Sequence, residues 1–464
     1  MNFDLVFEGG GAKGMVFVGA LEEFGRRGHA FTRLLGTSAG AITATLLAAG
    51  YSPQEMLTAL QEKEDGKSVF AGFMGEPAPF SPEEIQGGAI RKFLKDINLR
   101  FVPDFLEDSL DDWIAEALAA DLRSRHLFSF VERGGWYAAD RFVSWLSTKL
   151  DTGPWQGGQR AFSRLTLGEF HDRTNVDLSV VASDTTAGRL LVLNHRTAPD
   201  CPVVWAVRMS MSIPLLWQEV VWSANWGTYL GHDMAAHVVV DGGMLSNFPI
   251  ELFISAEPQV TNLMGPKKDV PDPIMGLLID ESLPVPVLQR ERGLLVTVNV
   301  NPEELRTVQR LKNLVDTMTQ AHDKMVMDEC DDLVVRLPVK GYGTTEFDMT
   351  DERRQALVAA GQSAMGAYLD RLPAPRRALP AVKMAASPHA DRIASKILAY
   401  YSAITGLPVD EAPGRAFSGG VGGWLATKSE GQTAQTRNPN GPEEYPGDVT
   451  PKCPQVIDSN GKTG

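Results

Sequence analysis

The chain has 464 residues, of which 43% are hydrophobic, and a formal net charge of −14. This length allows one large domain or two ordinary ones, and the apolar fraction is sufficient for a sizeable core. The acidic balance argues against nucleic acid as the main partner and against purely electrostatic binding to an anionic bilayer, since no basic stripe is present to neutralise phosphates. Three widely spaced cysteines favour a reducing compartment without a disulfide framework or a structural zinc site.

The first predicted strand begins almost at the N-terminus and leaves no room for a signal peptide. No run of about 18 apolar residues is present to span a membrane. We therefore expect a cytoplasmic protein without a transmembrane segment.

Two apolar runs near the N-terminus are each followed by a glycine-rich turn and then by an apolar-periodic segment. Leu5, Val6 and Phe7 precede the first turn, and Leu34 and Leu35 precede the second. The turns are Gly9, Gly10, Gly11, Ala12, Lys13, Gly14 and then Gly36, Thr37, Ser38, Ala39, Gly40. This pattern predicts a β-α-β-α start and a parallel sheet with right-handed crossovers.

The middle of the chain is predicted to be mostly helical, from residue 52 to about 150. An apolar helical face within it contains Leu110, Trp113 and Leu122, which we interpret as packed on the core, with a lid over a lipid-binding cleft as the alternative. Later strands are predicted at 178–182, 190–194, 238–240, 294–300 and 333–337, and later helices at 305–328 and 351–372.

The second turn has the pattern of a nucleophile elbow, in which a strand, a sharp glycine-flanked turn and a helix present one serine hydroxyl. The glycines Gly36 and Gly40 allow close packing of the helix on its strand. Ser38 would then project at a helix N-terminus, where developing negative charge is favoured. The pattern indicates a serine acyl hydrolase.

The first glycine turn has three interpretations. A dinucleotide site requires an acidic residue at the end of the next strand, and that strand runs directly into the Ser38 turn instead. A phosphate-binding loop requires a lysine at a position that Lys13 does not occupy. The remaining interpretation is an oxyanion hole formed by the N–H groups of Gly10 and Gly11. Lys13 either adds positive potential there or is a solvated side chain at a helix start.

A Ser-His-Asp triad is the usual partner set for such a serine, but the histidines do not fit it. His237, the best placed, is on the same predicted strand as Asp241 and about 13 Å away from it, at about 3.3 Å per residue. Asp241 ends a valine-rich strand, where parallel sheets place catalytic groups, and is followed by Gly242 and Gly243. An ordinary Asp-Gly turn is the alternative.

The glycine loop, the elbow serine and the Asp-Gly-Gly sequence, in this order, resemble the patatin-like phospholipase family. Arg208–Pro214 is similar to the family segment before the aspartate strand, Asn247 and Pro249 fit its pattern after the aspartate, and 347–368 is similar to its closing helix. The resemblance implies a three-layer α/β/α fold with a mostly parallel central sheet. It also implies a dyad of Ser38 as nucleophile and Asp241 as general base, with residues 9–14 as the oxyanion motif.

Hydrolysis of lipid acyl esters, as by a phospholipase A, is the function that this resemblance implies, with no metal or organic cofactor. A general carboxylesterase or thioesterase acting on soluble esters is one alternative, and a non-catalytic lipid-binding module is another. The implied substrate is a membrane phospholipid or another lipid acyl ester, reached by peripheral contact with the membrane.

The expected hydrolase domain covers residues 1–372, with a motif-bearing core at about 4–255 and a family C-terminal part at 256–372. Residues 373–427 are predicted to be a linker with one amphipathic helix. Residues 428–464 are polar and predicted to form a flexible tail, because their composition buries too little apolar surface to offset ordering entropy. A regulatory partner of this tail is a further expectation.

Overall fold

A computed structural model describes residues 1–64, 66–96, 122–266, 268, 270–286 and 330–372. The predicted strand at 294–300, the predicted helix at 305–328 and the predicted elements beyond residue 372 lie outside these ranges. So does the apolar face at 110–122, except for Leu122 itself.

An eight-stranded sheet forms the centre of the described structure. Its strands are β1 (Asn2–Phe7), β2 (Ala30–Thr37), β3 (Asp177–Asp184), β4 (Arg189–Leu193), β5 (Val220–Val221), β6 (Val238–Asp241), β7 (Ile274–Pro284) and β8 (Val334–Lys340). Four two-stranded pairs lie outside it: Lys63–Glu64 with Lys67–Ser68, Gly135–Tyr137 with Leu215–Trp217, Pro154–Trp155 with Gly158–Gln159, and Thr228–Tyr229 with His232–Asp233.

Twelve α-helices occur in the described ranges: α1 (Val16–Arg26), α2 (Ala39–Ala48), α3 (Pro53–Leu60), α4 (Pro82–Gly87), α5 (Ala89–Asp96), α6 (Leu122–Glu132), α7 (Asp140–Asp151), α8 (Leu167–Thr174), α9 (Val203–Ser210), α10 (Glu251–Ile254), α11 (Pro258–Met264) and α12 (Asp351–Arg371). Short 3₁₀-helices are Gly11–Met15, Val69–Phe73, Ala224–Trp226, Gly242–Met244 and Asp331–Leu333. Within the described ranges, no helix combines the length and apolarity needed to cross a bilayer.

The core of the sheet is parallel, as predicted. Strands β3, β2, β1, β7 and β8 lie side by side in this order and run in one direction. Strands β4 and β6 are antiparallel to β3, and β5 is antiparallel to β6. The predicted strands at 178–182, 190–194, 238–240 and 333–337 are thus present as β3, β4, β6 and β8, whereas β7 was not predicted.

The two strands that lead to Ser38 and Asp241 meet end to end. Strand β4 pairs with β3 over residues 180–184 and occupies one edge there. Strand β2 pairs with residues 177–181 and β6 with residues 182–184, so both must lie along the opposite edge. Because β2 is parallel to β3 and β6 is antiparallel to it, the carboxyl ends of β2 and β6 point towards each other.

The pleat of the strands distributes apolar side chains between two cores. Leu5 and Phe7 of β1 belong to the larger core, with side chains of α1, α2, α3, α7, α9 and α12. Val6, between them, belongs to a smaller core that is covered by α10 and α11. Helices on both faces of the sheet form the three-layer α/β/α architecture that the resemblance implied.

Helices α1 and α12 approach each other closely where glycines face the partner backbone. A Cβ atom at Gly19 would lie 1.8 Å from the carbonyl oxygen of Val358, and one at Gly361 would lie 2.0 Å from that of Val16. We expect Gly19→Ala to lower the free energy of unfolding by about 1–3 kcal/mol, because the helices must separate. Gly25→Ala, on the same helix with no atom within 4 Å of its added Cβ, is the control and should leave the denaturant midpoint unchanged or slightly raised. Equal losses of stability would contradict the close approach.

Candidate active site

Ser38 occupies a sharp turn between β2 and α2. Its backbone has φ +53° and ψ −119°, a conformation that costs a non-glycine residue of order 1–3 kcal/mol. A Cβ atom at Gly36 would lie 2.4 Å from the Gly40 carbonyl oxygen, and one at Gly40 would lie 2.3 Å from that of Phe7. Both glycines are therefore required for the close approach of α2 to the strands. This strand–turn–helix arrangement is the one that the motif predicted.

Asp241 lies next to Ser38, at the end of a strand that runs in the opposite direction to β2. It ends β6 opposite Ala182 of β3, one position beyond Val181, which pairs with Thr37. Ser38 is the residue after Thr37, so the two side chains are brought together where the strand ends meet. From the sequence, Asp241 was predicted at the end of a strand in a parallel sheet. In the structure its strand is antiparallel, and this reversal brings the carboxyl end of β6 to the elbow.

The carboxyl group of Asp241 is held in a largely water-excluded position. Burial raises its pKa to about 7, although the Ser38 hydroxyl and the Gly243 N–H both favour the charged form. Oδ1 accepts a hydrogen bond of 2.7 Å from Gly243 N–H. The buried Oδ2 atom completes no hydrogen bond of normal geometry within the described ranges, although Ser38 is close enough to influence it. Catalytic hydrogen bonds are often poorly aligned before substrate binds.

The glycine turn after β1 leaves two of its N–H groups available. Gly9 N–H donates to the carbonyl oxygen of Asn247 at 3.1 Å, and Ala12 N–H donates to that of Thr344 at 2.8 Å. Lys13 N–H donates within the turn, to the Gly10 carbonyl oxygen at 3.1 Å. Among the described residues, the N–H groups of Gly10 and Gly11 have no acceptor.

The turn lies directly against the elbow. A Cβ atom at Gly9 would lie 3.1 Å from Ser38 Cβ, and one at Gly14 would lie 2.6 Å from Ala39 Cβ. Gly11 has φ +53°, and a Cβ there would lie 2.2 Å from the Thr344 carbonyl oxygen. The free N–H groups are thus next to the serine, and their assignment as oxyanion donors stays a prediction.

Glu8 anchors the turn, although sequence reasoning did not identify it. This buried carboxylate accepts hydrogen bonds from the backbone N–H of Ile279 in β7 and from Asn247 Nδ2, the latter at 3.1 Å. Asn247 Nδ2 also donates to the Gly9 carbonyl oxygen at 3.1 Å. The Asn247 side chain therefore joins the segment after Asp241 to the glycine turn. Its position in the family pattern was the sequence feature that pointed to this residue.

Lys13 is buried, with 4% of its surface exposed, and forms an ion pair with Glu281. The interpretation of Lys13 as a solvated side chain is therefore wrong. Glu281 lies in β7, just after a run of residues in that strand that pair with β8. Because β7 was not predicted from the sequence, the ion pair between Lys13 and Glu281 was not predicted either.

His237 is not a partner of Asp241. Its Nδ1 atom lies 2.9 Å from Oδ2 of Asp184, and the same oxygen accepts a hydrogen bond of 2.9 Å from Arg189 Nε. In the described ranges, no group of three or more His, Cys, Asp or Glu side chains is arranged to hold a metal ion.

An apolar cavity that opens to solvent is lined at one point by Ser38. Its lining includes Ile42 and Leu46 of α2 and the aromatic side chains of Phe73 and Trp217. Leu46 lies about 12 Å along α2 from Ser38, at 1.5 Å per residue. Apart from Ser38, the side chains that line this cavity are almost all apolar, so it is suited to a hydrocarbon chain.

A sequence model of the patatin-like phospholipase family matches residues 5–254, which contain the elbow, the glycine turn and the Asp-Gly-Gly sequence. The chain belongs to this family. Its fold is accordingly the patatin fold, with a mixed sheet that is parallel in its core.

Two relatives align with much of the chain. The uncharacterized protein YqhO of Bacillus subtilis is 29% identical over 377 residues, which cover 80% of this chain and 98% of that protein. Probable lipid hydrolase 463L of Invertebrate iridescent virus 6 is 22% identical over 251 residues, which cover 54% of this chain and 62% of the viral protein.

Solved structures with similarity to the chain include VipD from Legionella pneumophila, with 17% identity and a TM-score of 0.37 over 79% of this chain and 66% of VipD. ExoU from Pseudomonas aeruginosa, in complex with SpcU, has 17% identity and a TM-score of 0.33 over 79% of this chain and 52% of that chain. The chain therefore spans between half and two thirds of these larger proteins.

Proposed function

We propose that the protein hydrolyses acyl esters of lipids, with Ser38 as the nucleophile and Asp241 as the general base. The observation that carries this proposal is the meeting of Ser38 and Asp241 beside an apolar cavity that Ser38 helps to line. A strained serine, a buried carboxylate with a raised pKa and two free N–H groups are the parts that acyl transfer requires.

In the proposed reaction, Ser38 Oγ attacks the ester carbonyl carbon while its proton passes to the Asp241 carboxylate. The carbonyl π electrons move to oxygen, and the N–H groups of Gly10 and Gly11 stabilise the resulting oxyanion. The intermediate collapses to an acyl-enzyme, and the leaving alcohol takes the proton from Asp241. Asp241 then removes a proton from water as the water oxygen attacks the acyl carbon. The bond from that carbon to Ser38 Oγ breaks, Ser38 Oγ takes the proton from Asp241, and the fatty acid is released.

A carboxylate replaces histidine as the base here because burial changes its basicity. The pKa of Asp241 is about 7, whereas an ordinary aspartate has a pKa of 3.8. A base whose pKa lies near the working pH combines a large ionised fraction with a strong driving force for proton transfer. The Asp241 carboxyl group thus has a pKa close to that of an ordinary imidazole.

The apolar cavity supports a lipid as the substrate. Among the residues that the structure describes, the side chains that line the cavity include no charged group to pair with a polar acid. Burial of each methylene group contributes about 0.8 kcal/mol to binding. A phospholipid is then positioned with one acyl chain in the cavity and its ester at Ser38. The substrate is reached by peripheral contact with a membrane surface, as the resemblance implied.

The proposal is tested with phosphatidylcholine vesicles and purified full-length protein. We expect release of free fatty acid and lysophosphatidylcholine in equal amounts, measured by mass spectrometry. Hydrolysis of short soluble esters alone, with no product from vesicles, would instead indicate a general esterase.

Acyl-chain length gives a sharper test through Ala59, a buried residue of α3 that lines the cavity. Ala59→Phe fills part of the cavity, so kcat/KM for a p-nitrophenyl decanoate should fall at least about 10-fold relative to the butanoate. Unchanged butanoate hydrolysis would show that the elbow is intact. An unchanged ratio would show that the acyl chain binds elsewhere.

A further inference from the structure

The segment Arg208–Pro214 contacts both proposed catalytic residues through its serines. Ser38 N–H donates a hydrogen bond of 2.9 Å to Ser210 Oγ, and Asp241 N–H donates one of 2.9 Å to the Ser212 carbonyl oxygen. Both serines are fully buried. One turn at the end of α9 therefore binds the ends of two strands that belong to distant parts of the sequence.

Arg208 fixes the shape of this turn. Its guanidinium is fully buried and donates to Ser212 Oγ and, at 2.7 Å, to the carbonyl oxygen of Gln218. Ser212 Oγ in turn donates to the Arg208 carbonyl oxygen at 2.5 Å. These bonds cross-link residues 208, 212 and 218, so the position of the turn is set by the surrounding core.

The contact with Ser210 has a particular consequence at the elbow. The backbone of Ser38 is strained, and such a conformation persists only when neighbouring groups fix it. The N–H group of this strained residue donates a hydrogen bond to the hydroxyl oxygen of Ser210. Without that acceptor, a buried N–H would lose its partner and the elbow would relax.

We propose that Ser210 is a positioning residue that holds Ser38 in line with Asp241, a role that rests on the proposed function. Ser210 acts through the backbone of Ser38 and does not touch the substrate. Its loss should therefore slow the chemical step without weakening substrate binding in the cavity. Misplacement of a reacting group by about 1 Å is sufficient to cost about 100-fold in rate.

The test compares Ser210→Ala with Ser246→Ala in the full-length protein. Ser246 is a matched control, because its buried hydroxyl follows the Asp-Gly-Gly sequence but has no hydrogen-bond partner among the described residues. We expect Ser210→Ala to lower kcat for p-nitrophenyl decanoate by about 10- to 100-fold, with KM unchanged within about twofold. Ser246→Ala should leave both constants near the wild-type values. Rates are divided by the folded fraction from thermal unfolding.

The positioning role would be overturned if the kcat of folded Ser210→Ala were within twofold of the kcat of Ser246→Ala. It would also be overturned if an increase in KM accounted for the whole loss of kcat/KM. If Ser210→Ala does not fold, Ser210→Cys replaces it, since a thiol has nearly the same size but is a weak acceptor. The same separation of kcat from KM is then expected. Absence of ester hydrolysis by the wild-type protein would be a failure of the proposed function itself and would remove the basis of the Ser210 role.

Discussion

Replacement of Ser38 by alanine is expected to lower kcat for ester hydrolysis by at least about 10⁴-fold, because an alanine side chain cannot form the acyl-enzyme. The substitution removes one hydroxyl from a buried turn. It should therefore preserve the thermal unfolding midpoint within a few degrees. Hydrolysis of p-nitrophenyl decanoate by purified protein, with the melting curve as a control for folding, measures both effects.

A folded Ser38→Ala protein that keeps more than about 1% of the wild-type rate would remove Ser38 as the nucleophile. Loss of both activity and cooperative unfolding would instead show that the hydroxyl is structural. The structure argues against that outcome, since the hydrogen bond from Ser38 to Ser210 Oγ uses the backbone N–H of Ser38, which alanine retains.

Replacement of Asp241 by asparagine is expected to lower kcat by about 10³- to 10⁴-fold, because the amide keeps the size of the side chain but accepts no proton. The Ser38→Ala, Asp241→Asn double variant should be little slower than either single variant, since residues that act as one unit have non-additive effects. His237→Ala should remain active. A folded His237→Ala protein as inactive as Ser38→Ala would restore a Ser-His-Asp triad.

The same Asp241→Asn substitution should stabilise the fold at alkaline pH. The pKa of Asp241 is about 7 in the folded protein and about 3.8 in the unfolded chain, so the folded state holds the extra proton between these values. Stability contributed by this group is therefore lost as pH rises from about 4 to 7. Asparagine avoids the cost of the buried charge and should raise the free energy of unfolding by about 2–4 kcal/mol at pH 8.

At pH 4 the difference should nearly vanish, because both side chains are then neutral in the folded state. Denaturant unfolding at the two pH values measures this contrast. Equal effects of the substitution at pH 4 and pH 8 would show that the Asp241 carboxyl is not a buried charge. A stabilising substitution that abolishes activity is the expected signature of a catalytic residue in an unfavourable environment.

The two strand–turn–helix units could be predicted because all of their determinants are local. An apolar run, a glycine-rich turn and a periodic segment follow one another within about 40 residues. The identity of Ser38 as the central position of an elbow follows from its glycine neighbours. Asp241 could be selected by its place at the end of a valine-rich strand, together with the family resemblance.

The arrangement of the strands could not be predicted in the same way. Residue periodicity indicates a strand but not its direction, so nothing in 238–241 shows that β6 is antiparallel. Strand β7 was missed because Gly276 interrupts its apolar run. The structure explains this glycine, since a Cβ atom there would lie 2.3 Å from Phe248.

The supporting contacts of the site were also beyond sequence reasoning. Glu8 is one acidic residue after a strand, and only the fold brings it to Asn247 and Ile279. The cavity walls come from distant segments, among them Phe73 and Trp217, that share no local pattern. The serines of Arg208–Pro214 were noted as part of a family segment, but their bonds depend on the end-to-end meeting of β2 and β6.

The pairing of Ser38 with Asp241 can be measured by the pH dependence of covalent labelling with a fluorophosphonate, which reacts with an activated serine. We expect the label on the peptide that contains Ser38. We also expect the labelling rate to rise through a midpoint near pH 7, as the Asp241 carboxyl loses its proton. Labelling of another residue, or a rate on Ser38 that does not change between pH 5 and pH 9, would contradict the claim that Asp241 is its base.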